Sequence, residues 1–352
     1  MNAPAGPVLG NMFAVRPPLM GTARIAEALR SIYGLQGRLS LLGSERDQNF
    51  RLDANGASFV VKIAHPRESA SVLALQAAAL AEIARNDPQL PVPRLVATLA
   101  GEPGAVVADE DGRPRHLRVV TYLAGGLLHE FEPAQPLLNE LGQLAGRMDM
   151  ALAGLRHAET QADLPWNLTN LPQLRPLLAE REGDSDYPLI AQALDDYAEQ
   201  VVPVLPLLSC GFIHNDLNPH NVVVHEGRIA GILDFGDMAR APHLCELAIA
   251  GAYHVAATDD PLAGAAEIVA GYHSVRPLTA RDLSLLPILF MARHAMTVLI
   301  TEHRADEDHD NRDYILRNNP AARRGLRALA RLGGDEAIQR LEARCAAGER
   351  AR

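Results

Sequence analysis

The sequence predicts an α+β protein of two lobes: a small antiparallel β-sheet with one helix, then a larger, mainly helical lobe. Three observations carry the prediction. Strand-like segments crowd between residues 38 and 123, helical patterns dominate beyond Gly125-Gly126, and 352 residues exceed one ordinary core, since a domain usually holds roughly 100 to 200. The lobes are accordingly expected at residues 1–123 and 124–352.

The first lobe begins near Arg38. Gln48 to Asp53 alternates polar and apolar residues, Asn55-Gly56 supplies a hairpin turn, and Ser58 to Ala64 reads as the next, mostly apolar strand. Glu68 to Arg85, rich in Ala and Leu, is the one helix, ended by Pro91 and Pro93. Further strands are expected at Arg94 to Thr98, Ala105 to Ala108 and Leu117 to Leu123, a count near five. Beyond the glycine pair, Gln135 to Leu155, Leu189 to Leu208 and Leu283 to Glu302 read as helices. One β island interrupts them: Val222 to His225 and Arg228 to Leu233, joined at Glu226-Gly227. The tail after Pro320 reads as one or two surface helices with Leu326, Leu329 and Leu341 on their inner face.

Composition narrows the function. A hydrophobic share of 48% with 22% charged residues is that of a globular chain. The longest mostly apolar run, Val201 to Ile213, is interrupted by Pro203 and Pro206 and falls short of the about 20 residues a membrane span needs. Pro4, Pro7, Pro17 and Pro18 do not read as a secretory signal. Cys210, Cys245 and Cys345 lie far apart and suit buried thiols in a reducing compartment, which makes the cytoplasm the expected location. A net charge of -10 argues against a nucleic-acid partner and suits a cationic substrate. No membrane or nucleic-acid partner is expected.

The chemistry concentrates in His214-Asn-Asp-Leu-Asn-Pro-His-Asn221, followed after the β island by Ile232-Leu-Asp-Phe-Gly-Asp237. In a kinase catalytic loop, H-R-D-x-x-x-x-N, the Asp accepts or orients the substrate hydroxyl and the Asn holds Mg²⁺; the Asp of a later D-F-G binds the metal that bridges the nucleotide phosphates. Asp216, Asn221 and Asp234 have this order and spacing. Mg²⁺ takes one or two carboxylates with phosphate and water oxygens, which Asp234 and Asn221 complete. The alternative is that these residues only shape turns.

Of 33 lysines and arginines, residue 62 alone is lysine, and it lies inside the apolar strand Phe59-Val-Val-Lys-Ile63. Lysine is a compact point charge where arginine is a planar fork, so a tight phosphate contact distinguishes them. Kinases pair this strand lysine with a helix Glu. Gln76 is expected opposite Lys62, with Glu68 and Glu82 the charged alternatives. The turn Leu42-Gly-Ser-Glu-Arg-Asp-Gln-Asn49 is a candidate cover for the phosphates, with Ser44 and backbone N–H groups donating, or a plain hairpin loop. Thr121-Tyr122-Leu123 are candidates for backbone contacts to the base, or a buried strand end. Together these features make the fold protein-kinase-like, with Mg²⁺ as cofactor and ATP or GTP as donor. No A-P-E motif follows Asp237, which argues against a protein kinase.

At these residues, from about Leu39 to Leu329, the sequence resembles the aminoglycoside phosphotransferase family, which includes choline, homoserine and hydroxylysine kinases. Arg46-Asp-Gln-Asn-Phe50, Trp166-Asn-Leu168, His214 to Asn221, Ile232 to Met238 and Thr279-Ala280 are most similar to hydroxylysine kinases. The resemblance implies Asp216 as catalytic base, Asn221 and Asp234 as metal ligands, Lys62 as phosphate contact, and a small hydroxylated amine or amino acid such as 5-hydroxylysine as substrate. An aminoglycoside, homoserine or choline-type kinase is the alternative, as is a nucleotide-binding pseudoenzyme, whose support is the departure at Gln76. Asn215, where Gly or Arg is common, is expected to be tolerated. On the substrate side, Asp237 is a candidate for an ammonium or a helix cap. Arg293 is a candidate carboxylate clamp or a helix-surface charge, and Trp166 a substrate platform or a packed lobe residue.

Overall fold

The computed structural model of the chain describes residues 19–44, 47–179, 183–256 and 258–350. Pro4 to Pro18, read above for a leader, and Glu45 and Arg46 of the candidate phosphate turn lie outside the described residues. The chain opens with helix α1 (Thr22–Ala28), which a π-helical turn continues to Tyr33. Strands β1 (Arg38–Leu42), β2 (Gln48–Ala54) and β3 (Ala57–Ile63) follow, then helix α2 (Ala70–Asn86) and strands β4 (Leu95–Val96), β5 (Ala105–Ala108) and β6 (Pro114–Thr121). The sheet order is β1-β2-β3-β6-β4, with β5 also paired to β6, and every pairing is antiparallel.

Two local signals work as expected here. Asn55 and Gly56 take φ of 52° and 79°, the left-handed pair of a tight hairpin turn. Ser69 caps α2, its hydroxyl accepting from the Val72 N–H at 3.1 Å. The expectation of one helix in this lobe is corrected to two. With only Ile25 and Ala28 buried in its seven residues, α1 is too short for periodicity to reveal; it forms because Met20, Ile25, Leu29 and Tyr33 cover the face of the sheet that carries Phe50, Leu52, Val61 and Val119. The strand expected at Arg94 to Thr98 shrinks to two residues.

Beyond Thr121 the chain turns at Gly125, whose φ of 151° and position 2.4 Å from the Val224 carbonyl, measured from where a Cβ would sit, leave no room for a side chain. The helical part contains strand β7 (Gly126–Leu127) and helices α3 (Gln135–Ala151), α4 (Arg175–Ala179) and α5 (Tyr187–Asp196). Strands β8 (Cys210–Ile213), β9 (Val222–His225), β10 (Arg228–Ile232) and β11 (Ala239–Pro242) come next. Helices α6 (His243–Ala252), α7 (Ala263–Val275), α8 (Ala280–Glu307), α9 (Arg312–Ile315), α10 (Asn319–Leu332) and α11 (Gly334–Arg350) finish the described chain. The β island is present as β9 and β10, extended by β7, while β8 and β11 form a separate antiparallel ribbon.

The helix expected over Leu189 to Leu208 stops at Asp196 and continues only as π and 3-10 turns, because Pro203 and Pro206 withhold the N–H groups a continuous helix needs. Helix α8 is long and apolar enough, by length and composition, to cross a membrane, so the longest apolar run lies here and not at Val201 to Ile213. Burial explains its composition: 83% of that stretch lies inside the protein. Thr279 caps it, its hydroxyl accepting the Asp282 N–H at 3.2 Å while the Asp282 carboxylate accepts the Thr279 N–H at 2.8 Å. Helices α3 and α7 touch through glycine, since a Cβ on Gly142 would stand 1.9 Å from the Ile268 carbonyl. The main core joins these helices to Leu75, Ala79 and Ile83 of α2, so α2 packs against both the sheet and the helices. Cys245 and Cys345 are buried as expected, but Cys210 is exposed.

Candidate active site

The loop after β8 is built around one buried ring. His214 donates from Nε2 to the Leu233 carbonyl at 2.7 Å and accepts the Asp216 N–H on Nδ1 at 3.3 Å. A carbonyl only accepts, so the ring proton sits on Nε2. Phe235 meets the ring edge-on, with centroids 4.8 Å apart. Asn215 adopts φ 65°, a left-handed conformation that asparagine tolerates. Its N–H donates to the buried Glu246 Oε2 at 2.9 Å, and its Nδ2 to the Asp237 carbonyl at 3.0 Å. Asn215 therefore ties the loop to the segment that follows Asp234.

Asp216 is fixed on both oxygens. Asn218 Nδ2 donates to Oδ1 at 2.8 Å and Asn221 Nδ2 to Oδ2 at 2.7 Å. Arg293 Nη2 lies 4.0 Å from Oδ1. Burial pushes the Asp216 carboxyl up to about 6, against the pull of Arg293 and the amides, with the Asp234 charge adding to the rise. Asp234 sits at φ 59°, its Oδ1 accepting the Gly236 N–H at 3.2 Å and lying 3.7 Å from Lys62 Nζ. Because Asn221 spends its Nδ2 on Asp216, its Oδ1 is left for a cation, the kind of oxygen a hard metal takes.

These groups meet in one cleft. A cavity of about 710 Å³ is lined by Lys62 and Gln76 on one side and by Asp216, Asn221 and Asp234 on the other, with Ser44, Trp166 and Asp237 also on its wall. The sheet register explains the first side: Asn49 pairs with Lys62 on β2 and β3, and Lys62 with Arg118 on β3 and β6, so three polar side chains share the inner face while Val61 and Ile63 fill the outer one. Gln76 is 2% exposed, and its Oε1 has no hydrogen-bond partner among the described residues. Glu68 lines the cleft as well, whereas Glu82 bonds Arg85 and Asn86 elsewhere on α2.

Three sequence-based candidates stand differently. Thr121 is not on the cleft wall: its N–H donates to the Arg94 carbonyl at 2.9 Å and its hydroxyl accepts the Arg94 N–H at 2.9 Å, so its polar groups are used. Leu123 is also off the wall, packed against Gly231. Arg293 is neither a surface charge nor a wall residue. It is 2% exposed, its guanidinium 5.1 Å from the Trp166 ring centroid and hydrogen-bonded to the Trp166 carbonyl at 3.3 Å, and it reaches the cleft only through Asp216.

Sequence reasoning missed several wall residues. Arg118 interrupts the apolar end of β6, Leu117 to Val120, much as Lys62 interrupts β3. His129 and His220 face each other with centroids 4.0 Å apart, and burial with the neighbouring His129 and Arg317 holds His220 down at about 4. Arg304, Tyr314 and Arg317 also line the cleft: Arg304 lies in the last turn of the apolar helix α8, and Tyr314 and Arg317 follow it in a short polar segment that carries no motif.

Residues 38–282 match the phosphotransferase enzyme family. The chain belongs to this family. The phosphotransferase is 27% identical over 340 residues to the hydroxylysine kinase of Danio rerio, covering 92% of the chain and 95% of that relative. It is 30% identical over 239 residues to the homoserine kinase of Pseudomonas aeruginosa, covering 65% and 72%. Its fold resembles that of an amicoumacin kinase in complex with AMP-PNP, Ca²⁺ and Ami, with a TM-score of 0.63 at 19% identity over 86% of the chain and 94% of that structure. The phosphotransferase is a small-molecule kinase acting on a hydroxyl group, and the expected kinase-like α+β fold is the one it has.

Proposed function

We propose that this phosphotransferase moves the γ-phosphate of a nucleoside triphosphate to the hydroxyl of a small hydroxylated amino acid, with 5-hydroxylysine the first candidate. One observation carries the reading: Asp216, gripped on both oxygens by Asn218 and Asn221, faces the same cleft as the Lys62–Asp234 pair. In this reading Asp216 accepts and orients the acceptor hydroxyl, Lys62 meets the phosphates, and Gln76 and Ser44 line the nucleotide side. Asn221 Oδ1 and the half-exposed Asp234 carboxylate fit Mg²⁺, which when bound neutralises phosphate charge. Arg118 adds a second cation on the sheet side, and with Lys62 it suits a polyphosphate.

The substrate end of the cleft supports an amino acid. Arg304 and Arg317 suit a carboxylate, Asp237 an ammonium, and Trp166 the aliphatic stem between them. These charges hold the hydroxyl at Asp216 by fixing the rest of the molecule, which is how positioning lowers a phosphoryl-transfer barrier. The likeness to hydroxylysine kinases over most of the chain supports the same class. The test is product formation with ATP or GTP against 5-hydroxylysine, homoserine, choline and an aminoglycoside. Phosphohydroxylysine is the expected product. Transfer to another acceptor but not to hydroxylysine refutes the substrate, and transfer to none favours a binding-only protein.

A further inference from the structure

On the other side of the β8–β11 ribbon lies a second cavity, of about 480 Å³, that shares no lining residue with the nucleotide cleft. Its base is Gly211 and Phe212 of β8 with Asp149 of α3, and its wall carries Arg156, Arg240 and Arg276. The charge there runs against that of the chain, whose net charge is -10. Arg276 Nη1 lies 3.6 Å from Asp149 Oδ2, while Arg240 has no carboxylate partner among the described residues. Arg156 bonds only carbonyls, those of Ala153 and Leu155. Two guanidinium charges are therefore uncompensated even when Asp149 is ionised.

Asp149 supplies an independent sign of a ligand. It is 1% exposed, Tyr272 donates to its Oδ2 at 2.5 Å, and its Oδ1 is buried without a hydrogen-bond partner among the described residues. Buried polar atoms in folded proteins are almost always bonded, so an orphan oxygen on a cavity base marks a place where a bound group or water belongs. Burial and the nearby Glu246 push the Asp149 carboxyl well above the usual range. His243 is held neutral, at about 4, by burial and by Arg276 and Arg240, and its Nδ1 donates to the Ser209 carbonyl at 2.7 Å.

We infer that this cavity binds a small phosphate-bearing anion, clasped by Arg156, Arg240 and Arg276. The site is joined to the cleft by the shortest possible route. β8 runs from the cavity base directly into His214 and Asp216, and β11, paired with it through four residues, begins two residues after Asp237.

The probe is inorganic pyrophosphate, titrated by calorimetry into the full chain, into Lys62→Ala and into the double variant Arg156→Glu/Arg240→Glu. Both substituted arginines are exposed, so the double variant keeps the core, and its thermal unfolding checks this. With the double substitutions made in the Lys62→Ala chain, so that the Lys62 contact in the cleft is absent throughout, the expected result is a pyrophosphate site that survives Lys62→Ala and weakens about 10²-fold or more in the double variant, since two charge-assisted contacts are lost. Arg156→Gln/Arg240→Gln repeats the test without charge reversal. Absence of binding to the unmodified chain, or binding that persists in both double variants, overturns the inference.

Discussion

Removing the buried cation behind Asp216 should move the pH dependence of the reaction. Arg293 Nη2 lies 4.0 Å from Asp216 Oδ1, and Asp216 titrates near 6 with that charge in place. Two unit charges 4 Å apart interact by about 4 kcal/mol at an effective dielectric of about 20. The Asp216 side chain is 25% exposed, so solvent screening reduces this to about 2 kcal/mol, equivalent to about 1.5 pH units. The proposed base must be ionised to accept a proton, so activity falls as pH drops through its pKa. For Arg293→Gln the acid limb of kcat/KM, which reports the free enzyme, should rise from near 6 to about 7.5. At pH 7 the ionised fraction then drops from about nine-tenths to about a quarter, a fourfold loss that vanishes by about pH 9. Arg293→Lys, which keeps the charge, should hold the limb near its original place. An Arg293→Gln enzyme that folds, yet titrates where the unmodified enzyme does, would refute the reasoning.

Further outcomes follow from the same geometry. Lys62→Arg keeps the charge but replaces a point contact with a fork on a packed strand, and should weaken nucleotide binding measured by calorimetry. Asp234→Ala should weaken binding of Mg²⁺ with nucleotide while leaving metal-free nucleotide binding nearly unchanged, which fluorescence of Trp166 on the cleft wall can follow. Gly142→Ala should lower the melting temperature by overpacking the α3–α7 contact, at a cost of about 1–3 kcal/mol, without altering the pH profile.

Some of this protein is legible in its sequence for reasons that particular residues make clear. His214 to Asn221 can be read because its groups are contiguous: the loop's spacing alone brings Asn218 and Asn221 onto Asp216. Lys62 can be read because it is the chain's lone lysine, and the β3 pleat then decides its face. Gln76 follows from helical periodicity, since Leu75, Ala79 and Ile83 fix the core side of α2. Arg293 fails because nothing local says that the fourth turn of an apolar helix will be covered by Trp166 and Tyr253. Thr121 fails because its partner Arg94 lies 27 residues away. Arg304 and Arg317 arrive at the cleft by tertiary folding, from the end of the apolar helix α8 and from a short turn after it, where no local pattern marks a site.

The central claim, that Asp216 is the group receiving the acceptor hydroxyl, is tested most directly by the turnover of Asp216→Asn at saturating nucleotide and 5-hydroxylysine. Asparagine keeps the shape and one of the two hydrogen bonds from Asn218 and Asn221, but it cannot accept the proton. General-base and positioning effects commonly contribute 10² to 10⁴, so turnover should fall by about 10² or more while nucleotide affinity stays nearly unchanged. Near-normal phosphate transfer by the folded Asp216→Asn protein would contradict the account.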